Sequence, residues 1–260
     1  MHMKTLRFLA LLTLIFISAM KTKAQPAVAP LPARNYNFSI TRKTQMQYLL
    51  YLPADYKPKG PHRWPLMLFL HGAGERGTNV QRVAIHGPLS RVREGKTFPF
   101  IIVAPLCPEG EIWDNESLLK LLDHVDKKFA VDTDHIYLTG LSMGGYGTWK
   151  LGLAHPERFA AIAPVCGGAN MIDIILGSRD KGSAFQSLPI WTFHGAKDDV
   201  VPLNESERVV DALKKNGAND IKLTVYPDAK HDSWKEAYKT DALYDWLLAH
   251  SLSDPARRKK

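Results

Sequence analysis

The sequence predicts an α/β fold in which helices cover both faces of a mostly parallel central sheet of about eight strands. Short, wholly apolar runs such as Pro65–Leu70 and Phe98–Ala104 are typical of strands that are buried on both faces. Amphipathic helical patterns over Glu116–Ala130, Ser206–Lys215 and Trp234–His250 alternate with such runs. This alternation favours a parallel sheet over an all-helical or all-β arrangement.

Six further segments complete the predicted strands. In chain order they are Tyr36–Thr41, Gln47–Leu52, His135–Thr139, Phe159–Pro164, Pro189–Phe193 and Ile221–Tyr226. Polar turn residues separate the first two, which predicts an antiparallel hairpin at one edge of the sheet. No internal repeat or second-domain boundary is visible, so residues 35–252 are predicted to form one domain.

The N-terminal segment has the pattern of a cleavable secretory signal peptide over residues 1–24. Lys4 and Arg7 precede an apolar run that ends at Met20, and small residues follow up to Ala24. The apolar run is shorter than the roughly 20 residues that a membrane-spanning helix needs. We therefore expect a secreted or periplasmic protein without a stable membrane anchor.

Positive charge is concentrated at the two ends of the sequence. The formal net charge is +8, but residues 1–24 and the last four residues each contribute four basic side chains and no acid. The segment between them is nearly neutral, which argues against a nucleic-acid partner. Residues 25–34 contain three prolines and are interpreted as an extended linker, and residues 253–260 as a basic, solvated tail.

The strongest local signal is the pentapeptide Gly140-Leu141-Ser142-Met143-Gly144, which lies between a predicted strand and a helix that opens at Met143. A serine on such a sharp turn exposes its hydroxyl above the sheet, and the flanking glycines let the backbone approach closely. The pattern alone is loose, but its placement makes Ser142 the candidate nucleophile.

A glycine-rich loop, His71-Gly72-Ala73-Gly74, follows the predicted strand that ends at Leu70. Acyl transfer needs two backbone N–H groups aimed at the oxygen of the tetrahedral intermediate. We assign these oxyanion-hole donors to Met143, which follows the serine, and to Ala73. His71 is interpreted as a structural residue of the loop, and the alternative is that the loop is only a tight turn.

Two later loops offer the supporting acid and the base. Asp198 and Asp199 follow the strand Pro189–Phe193, and because adjacent side chains point in different directions only one can serve; Asp198 is favoured. His231 lies on the loop after the last predicted strand. The chain order serine, acid, histidine is the one found in catalytic triads of α/β enzymes.

No ligand cluster with zinc spacing, no phosphate-binding loop and no dinucleotide fingerprint is visible, so neither a metal nor a cofactor is predicted. The two cysteines, Cys107 and Cys166, each stand beside an apolar run. Two free, buried thiols are favoured over a disulfide, although pairing is the alternative.

Taken together, these segments resemble the compact bacterial esterases related to dienelactone hydrolase, the phospholipase/carboxylesterase group, and feruloyl and acetylxylan esterases, all with the α/β-hydrolase fold. The similar segments are Leu68–Gly77, Val103–Pro108, Gly140–Trp149, His194–Asp198 and His231–Trp234. The resemblance implies a serine esterase and supports Asp198, because the family's acid stands four residues after the histidine of a His-Gly pair. Dienelactone hydrolases proper use a cysteine where this chain has Ser142.

The predicted function is that of a secreted serine carboxylesterase. The stretch before Leu188 is too short for a large mobile lid, and an open cleft suits small esters or acetyl and feruloyl groups displayed on polysaccharide. Some relatives are labelled peptidases of the prolyl oligopeptidase type, so a serine peptidase is one alternative. A non-catalytic binding protein on a hydrolase scaffold is another.

Four residues near the motif loops are candidates for substrate contact. Trp113, Tyr146 and Trp234 could form an apolar wall for a sugar or an aromatic acyl group. Core packing is an equally good interpretation of these three side chains. Glu75 stands beside the proposed oxyanion loop, where it could contact substrate or only hold the loop through an ion pair.

Overall fold

The computed structural model describes residues 33–41 and 43–258. The chain divides after residue 42, and the folded domain begins at Lys43. Residues 33–41 contain no helix or strand, so the predicted strand Tyr36–Thr41 is wrong. The predicted signal peptide and most of the predicted linker lie outside the described residues.

A seven-stranded sheet forms the centre of the described domain. Its strands are β1 (Tyr48–Tyr51), β2 (Trp64–Leu70), β3 (Ile101–Pro105), β4 (Val131–Leu141), β5 (Ala161–Val165), β6 (Ile190–Gly195) and β7 (Ile221–Tyr226). Their spatial order is β1-β3-β2-β4-β5-β6-β7, and only β1 runs antiparallel to its neighbour. The predicted edge hairpin is therefore replaced by a single strand that pairs with β3.

Nine helices accompany the strands in the described part of the chain. They are α1 (Gly87–Arg93), α2 (Asn115–Lys128), α3 (Met143–Ala154), α4 (Met171–Lys181), α5 (Ser183–Gln186), α6 (Asn204–Lys215), α7 (Trp234–Lys239), α8 (Asp241–Leu248) and α9 (Pro255–Arg258). None of these helices is long and apolar enough to cross a membrane. The single helix predicted over Trp234–His250 is wrong, because Thr240 is extended (φ −75°, ψ 112°) and separates α7 from α8.

The apolar strands bury side chains on both faces because successive residues of a strand point to opposite sides. Leu66, Leu68 and Leu70 of β2 join one core cluster, which also receives apolar residues of α2, α3 and α6. Met67 and Phe69 belong to a second cluster, which receives residues of α1, α7 and α8. The predicted arrangement of helices on both faces is thus confirmed.

The predicted solvated tail is wrong for Arg257 of α9, whose side chain docks onto the protein. Its guanidinium donates to the backbone oxygens of Phe159, Ala160 and Pro156 at 2.7, 3.1 and 3.1 Å. Carbonyls of a loop between α3 and β5 thereby gain the hydrogen-bond partners that buried backbone groups need.

Candidate active site

Ser142 occupies a strained turn between β4 and α3. Its φ of 53° and ψ of −117° lie outside the regions that residues with a Cβ normally adopt. A Cβ on Gly144 would lie 2.0 Å from the carbonyl oxygen of Leu70, and one on Gly140 would lie 2.5 Å from that of Gly144. Only glycine permits this close approach, and the turn displays the Ser142 hydroxyl at the carboxyl end of the sheet.

The structure brings Ser142, His231 and Asp198 together in one chain of hydrogen bonds. His231 Nε2 lies 2.8 Å from Ser142 Oγ, and His231 Nδ1 lies 3.0 and 2.9 Å from the two oxygens of Asp198. Because a carboxylate only accepts, Nδ1 carries a proton and Nε2 is free to accept the serine proton. This is the arrangement needed to activate a serine.

Asp198 is fixed by its own loop, whereas its neighbour Asp199 is exposed. The side chain of Asp198 is fully buried. Its Oδ1 accepts the backbone N–H groups of Val200 and Val201 at 3.0 and 2.9 Å. The sequence left two adjacent candidates for the acid, and the structure places only Asp198 against His231.

The proposed oxyanion donors belong to the residue after the serine and to the glycine-rich loop. Met143 is the first residue of α3, so no carbonyl of its own helix can accept its N–H. Ala73 opens a single 3₁₀ turn after β2. A Cβ on Gly72 would lie 3.6 Å from the Cβ of Ser142, so the glycine-rich loop packs directly against the serine.

His71 holds this loop in place, as its predicted structural role requires. Its Nδ1 donates to the oxygen of Gly72 (2.6 Å), and its Nε2 accepts the N–H of Cys107 (3.0 Å). Trp113 donates its Nε1–H to the oxygen of His71 at 3.1 Å. The imidazole is therefore neutral, with its proton on Nδ1.

Glu75 also holds the loop. Its nearly buried carboxylate accepts the N–H of Gly72 at 3.0 Å and lies 3.8 Å from Nε2 of His86. The neighbouring Arg76, the candidate partner for an ion pair with Glu75, donates to the backbone oxygens of Ala73 and Glu111. Of the two roles considered for Glu75, the structure therefore favours loop support, although through His86 and a backbone N–H.

Trp234 packs against the base. Its ring centroid lies 5.3 Å from that of His231, with the two rings nearly perpendicular, and 5.4 Å from that of His86. An aromatic side chain in this position restricts rotation of the imidazole. The structure therefore places Trp234 where it supports His231.

An apolar hollow of about 390 Å³ opens beside the serine turn. Its lining combines Met143, Tyr146 and Gly147 of α3 with residues of the loop before α2; the full lining is Ile112, Trp113, Met143, Tyr146, Gly147 and Lys150. Substrate contact was predicted from the sequence for Trp113 and Tyr146, and both line the hollow. No such prediction was made for Ile112 or Lys150, which line it as well. Lys150 follows Tyr146 by four residues, which places both side chains on one face of a helix.

Both cysteines are free and buried, in agreement with the favoured prediction. Burial raises the pKa of the Cys166 thiol to about 12 and that of Cys107 to about 11, so neither forms a ready nucleophile. Among residues 33–41 and 43–258, the one group of three potential metal ligands is Cys166, Asp198 and His231. Two of these side chains already bond each other.

Acidification is expected to destabilise the fold through His71. Burial lowers the pKa of His71 below its usual 6.5, so below that pH the unfolded chain takes up a proton that the folded chain resists. The free energy of unfolding should therefore fall as the pH decreases from 7.5 to 5.5. Urea titrations at several pH values measure this slope.

The control for this prediction is His71→Gln, which keeps an acceptor for the N–H of Cys107 but does not titrate. All other titratable groups are shared, so the difference between the two slopes isolates His71. Equal slopes for the parent and the variant would contradict the assignment.

Comparison with known proteins identifies the family. The phospholipase/carboxylesterase family matches residues 110–244. The chain is 28% identical over 204 residues to a bifunctional acetylxylan esterase/xylanase of Neocallimastix patriciarum, covering 76% of this chain and 27% of that protein. It is 22% identical to a probable feruloyl esterase C of Aspergillus niger, covering 73% of this chain and 68% of that protein. The chain thus spans about a quarter of the first relative and about two thirds of the second.

Solved structures agree with the fold. A crystal structure of a thermostable esterase matches with a TM-score of 0.66 and 30% identity, covering 79% of this chain and 59% of the other. A ferulic acid esterase matches with a TM-score of 0.60 and 22% identity, covering 78% of this chain and 90% of the other, which supports the fold alone. The predicted α/β-hydrolase fold and the resemblance to esterases are confirmed. With just over half of its length matched by the family, the chain belongs to the phospholipase/carboxylesterase family of α/β-hydrolases.

Proposed function

We propose that this protein is a serine carboxylesterase that hydrolyses esters carried on carbohydrate, with Ser142 as nucleophile, His231 as base and Asp198 as supporting acid. The observation that carries the proposal is the hydrogen-bonded chain from Ser142 Oγ through His231 to Asp198. Membership of the phospholipase/carboxylesterase family supports ester hydrolysis.

The chemistry follows from the direction of these hydrogen bonds. His231 Nε2 takes the hydroxyl proton as Ser142 Oγ attacks the ester carbonyl carbon, and Asp198 stabilises the resulting imidazolium. His231 then gives this proton to the alcohol oxygen, the carbon–oxygen bond breaks, and the acyl group remains on Ser142. A water molecule deprotonated by His231 releases the acid and restores the serine.

Backbone N–H groups are proposed to stabilise the negative charge that develops on the carbonyl oxygen of the substrate. The N–H groups of Met143 and Ala73 are the proposed donors to this oxygen. Met143 opens α3, whose N-terminal end carries partial positive charge. Because β4, the serine turn and the glycine-rich loop are packed in contact, these donors need little reorganisation during the reaction.

The exposure of the reacting side chains and the size of the neighbouring hollow support a substrate whose ester is carried on a larger molecule. Ser142 is partly exposed, and 18% of the His231 side chain is accessible, so the reacting groups can be reached from solvent. The apolar hollow beside Met143 is large enough for an aromatic acyl group such as ferulate, and a smaller acetyl group also fits. Relatives named as acetylxylan and feruloyl esterases support this substrate class.

Action outside the cytoplasm is part of the proposal. The signal-peptide pattern of residues 1–24 supports it, as does a substrate class that occurs in cell-wall polysaccharide. Neither metal nor cofactor takes part in the proposed reaction.

Replacing Ser142 with alanine tests the proposal. The chain from Gln25 onward is assayed on p-nitrophenyl esters of increasing acyl length, methyl ferulate and acetylated xylan. We expect turnover of short-chain and carbohydrate-linked esters, and a loss of roughly 10³-fold or more in kcat for Ser142→Ala.

Ser178→Ala is the matched control, because Ser178 lies on α4 and its hydroxyl donates to Asn216 Oδ1 at 3.3 Å. Its activity should equal that of the parent. Peptide amides cleaved as fast as esters would favour the peptidase alternative. A folded parent that turns over no ester would leave the non-catalytic alternative.

The acyl preference is tested by Ile112→Ser. The Ile112 side chain is 67% exposed and lines the hollow, so this change should remove apolar contact at little cost in stability. We expect a roughly tenfold lower kcat/KM for methyl ferulate and an unchanged value for p-nitrophenyl acetate. Ile172→Ser, at an exposed position on α4, is the control. Equal losses on both esters would contradict binding of the aromatic group in the hollow.

A further inference from the structure

A second histidine, His194, contacts the proposed catalytic acid. His194 stands near the end of β6, and its side chain is fully buried. Its Nε2 lies 3.3 Å from Oδ2 of Asp198 and 2.8 Å from the carbonyl oxygen of Val201. Both neighbours are acceptors, so this nitrogen carries a proton; it donates to the oxygen of Val201 and lies in contact with Oδ2 of Asp198.

The other side of the His194 ring is anchored as well. Its Nδ1 lies 2.7 Å from the hydroxyl of Ser206, a fully buried residue of α6. The same hydroxyl lies 3.0 Å from the carbonyl oxygen of Gly167, in the loop after β5. The imidazole therefore connects β6 with the acid loop and with α6. Ser206 continues this connection to the loop after β5.

The backbone hydrogen bonds of Asp198 do not connect its carboxylate to the sheet. Its Oδ1 accepts two N–H groups, but both belong to the same loop, so they fix the carboxylate only relative to that loop. His194 belongs to β6, hydrogen-bonds the same loop at Val201 and contacts the other carboxylate oxygen, Oδ2, which also faces His231. His194 thus connects the loop that carries Asp198 to the sheet.

We propose that His194 is a positioning residue that orients the Asp198 carboxylate towards His231, with Ser206 holding the ring. The inference rests on the proposed function of the triad. His194 contacts no substrate because it is fully buried behind the acid. Without the N–H of His194, the acid loop loses its hydrogen bond at Val201 and Asp198 loses a contact at Oδ2, so His231 loses part of the orientation that proton transfer from Ser142 requires.

The test compares three variants. His194→Leu has a similar volume but no donor, and His194→Gln keeps an N–H donor. Thr192→Val is the matched control: Thr192 lies on the same strand, is fully buried and donates to the oxygen of Pro164 at 3.0 Å. The readouts are kcat and KM on p-nitrophenyl acetate, the circular dichroism spectrum and Tm, and the rate at which a fluorophosphonate labels Ser142.

For folded His194→Leu we expect kcat and the labelling rate to fall roughly 10- to 100-fold, with KM unchanged within about twofold. His194→Gln should recover most of this loss. Thr192→Val should lower Tm and leave kcat unchanged. A folded His194→Leu with parental kcat and labelling rate would overturn the proposal, and so would an equal loss of kcat in Thr192→Val.

Ser206→Ala decides the question if His194→Leu does not fold. It leaves the ring in place but removes its second anchor, so kcat should fall roughly threefold to tenfold. The low-field proton resonance of the His231–Asp198 bond should also shift. The proposal would be overturned if neither kcat nor the position of this resonance changed. If the parent labels with fluorophosphonate but hydrolyses no ester, the substrate proposal fails, and the labelling rates still decide the role of His194.

Discussion

Replacing Asp198 with asparagine is expected to lower kcat by roughly 10³- to 10⁴-fold while the fold and KM stay nearly unchanged. The amide has almost the same shape as the carboxylate, but its NH₂ group can donate to Nδ1 of His231. That donation favours the tautomer with the proton on Nε2, where it faces Ser142 and blocks proton transfer. Steady-state kinetics on p-nitrophenyl acetate and a thermal melt measure both parts of the prediction.

Asp199→Asn is the control for this experiment, because it makes the same chemical change at the exposed neighbouring position. Its kcat should equal that of the parent. If Asp199→Asn lost activity and Asp198→Asn did not, the assignment of the acid would be wrong.

Gly144→Ala is expected to destabilise the protein by about 3 kcal/mol or more. The added Cβ would lie 2.0 Å from the oxygen of Leu70 and 2.8 Å from that of His71, and both are backbone atoms that no side-chain rotation can move. The end of β2 and the start of α3 would have to separate, which displaces the glycine-rich loop. Urea unfolding measures the loss, and kcat should fall in the surviving folded fraction.

Gly74→Ala provides the comparison in the glycine-rich loop that Gly144→Ala would displace. A Cβ on Gly74 meets no atom within 4 Å, so this change should leave stability and kcat close to those of the parent. Gly144→Ala with parental stability would show that the packing of this turn is more tolerant than its geometry indicates.

The sequence predicted that Ser142, Asp198 and His231 would lie close together because each follows a predicted strand, and parallel strands end at one edge of the sheet. Chain order and local composition therefore sufficed for Ser142 and His231. The same reasoning left two candidates at Asp198 and Asp199, since the direction of a loop side chain depends on tertiary contacts. The role inferred for His194 had no local signal, because its contacts with the acid loop and with Ser206 of α6 depend on how these segments pack in the folded chain.

Two of the fold predictions that proved wrong have identifiable causes. Tyr36, Phe38 and Ile40 alternate with polar residues as in a half-buried strand, yet they are 84%, 69% and 82% exposed. Alternation of apolar and polar residues shows that a segment is compatible with a sheet. A strand also needs a neighbouring strand to pair with, and the alternation does not provide one. The long helix after His231 was predicted from its continuous apolar pattern, which both α7 and α8 keep across the break at Thr240.

Two residues that line the apolar hollow lie far along the chain from the proposed acid and base. Ile112 and Lys150 line the hollow, whereas Asp198 and His231 stand on loops after β6 and β7. Under the proposed function, substitutions at Ile112 and Lys150 change the acyl preference and leave Asp198 and His231 in place, so substrate preference and chemistry can diverge separately during evolution. Libraries randomised at Ile112 and Lys150 offer a route to new acyl preferences on an otherwise unaltered hydrolase.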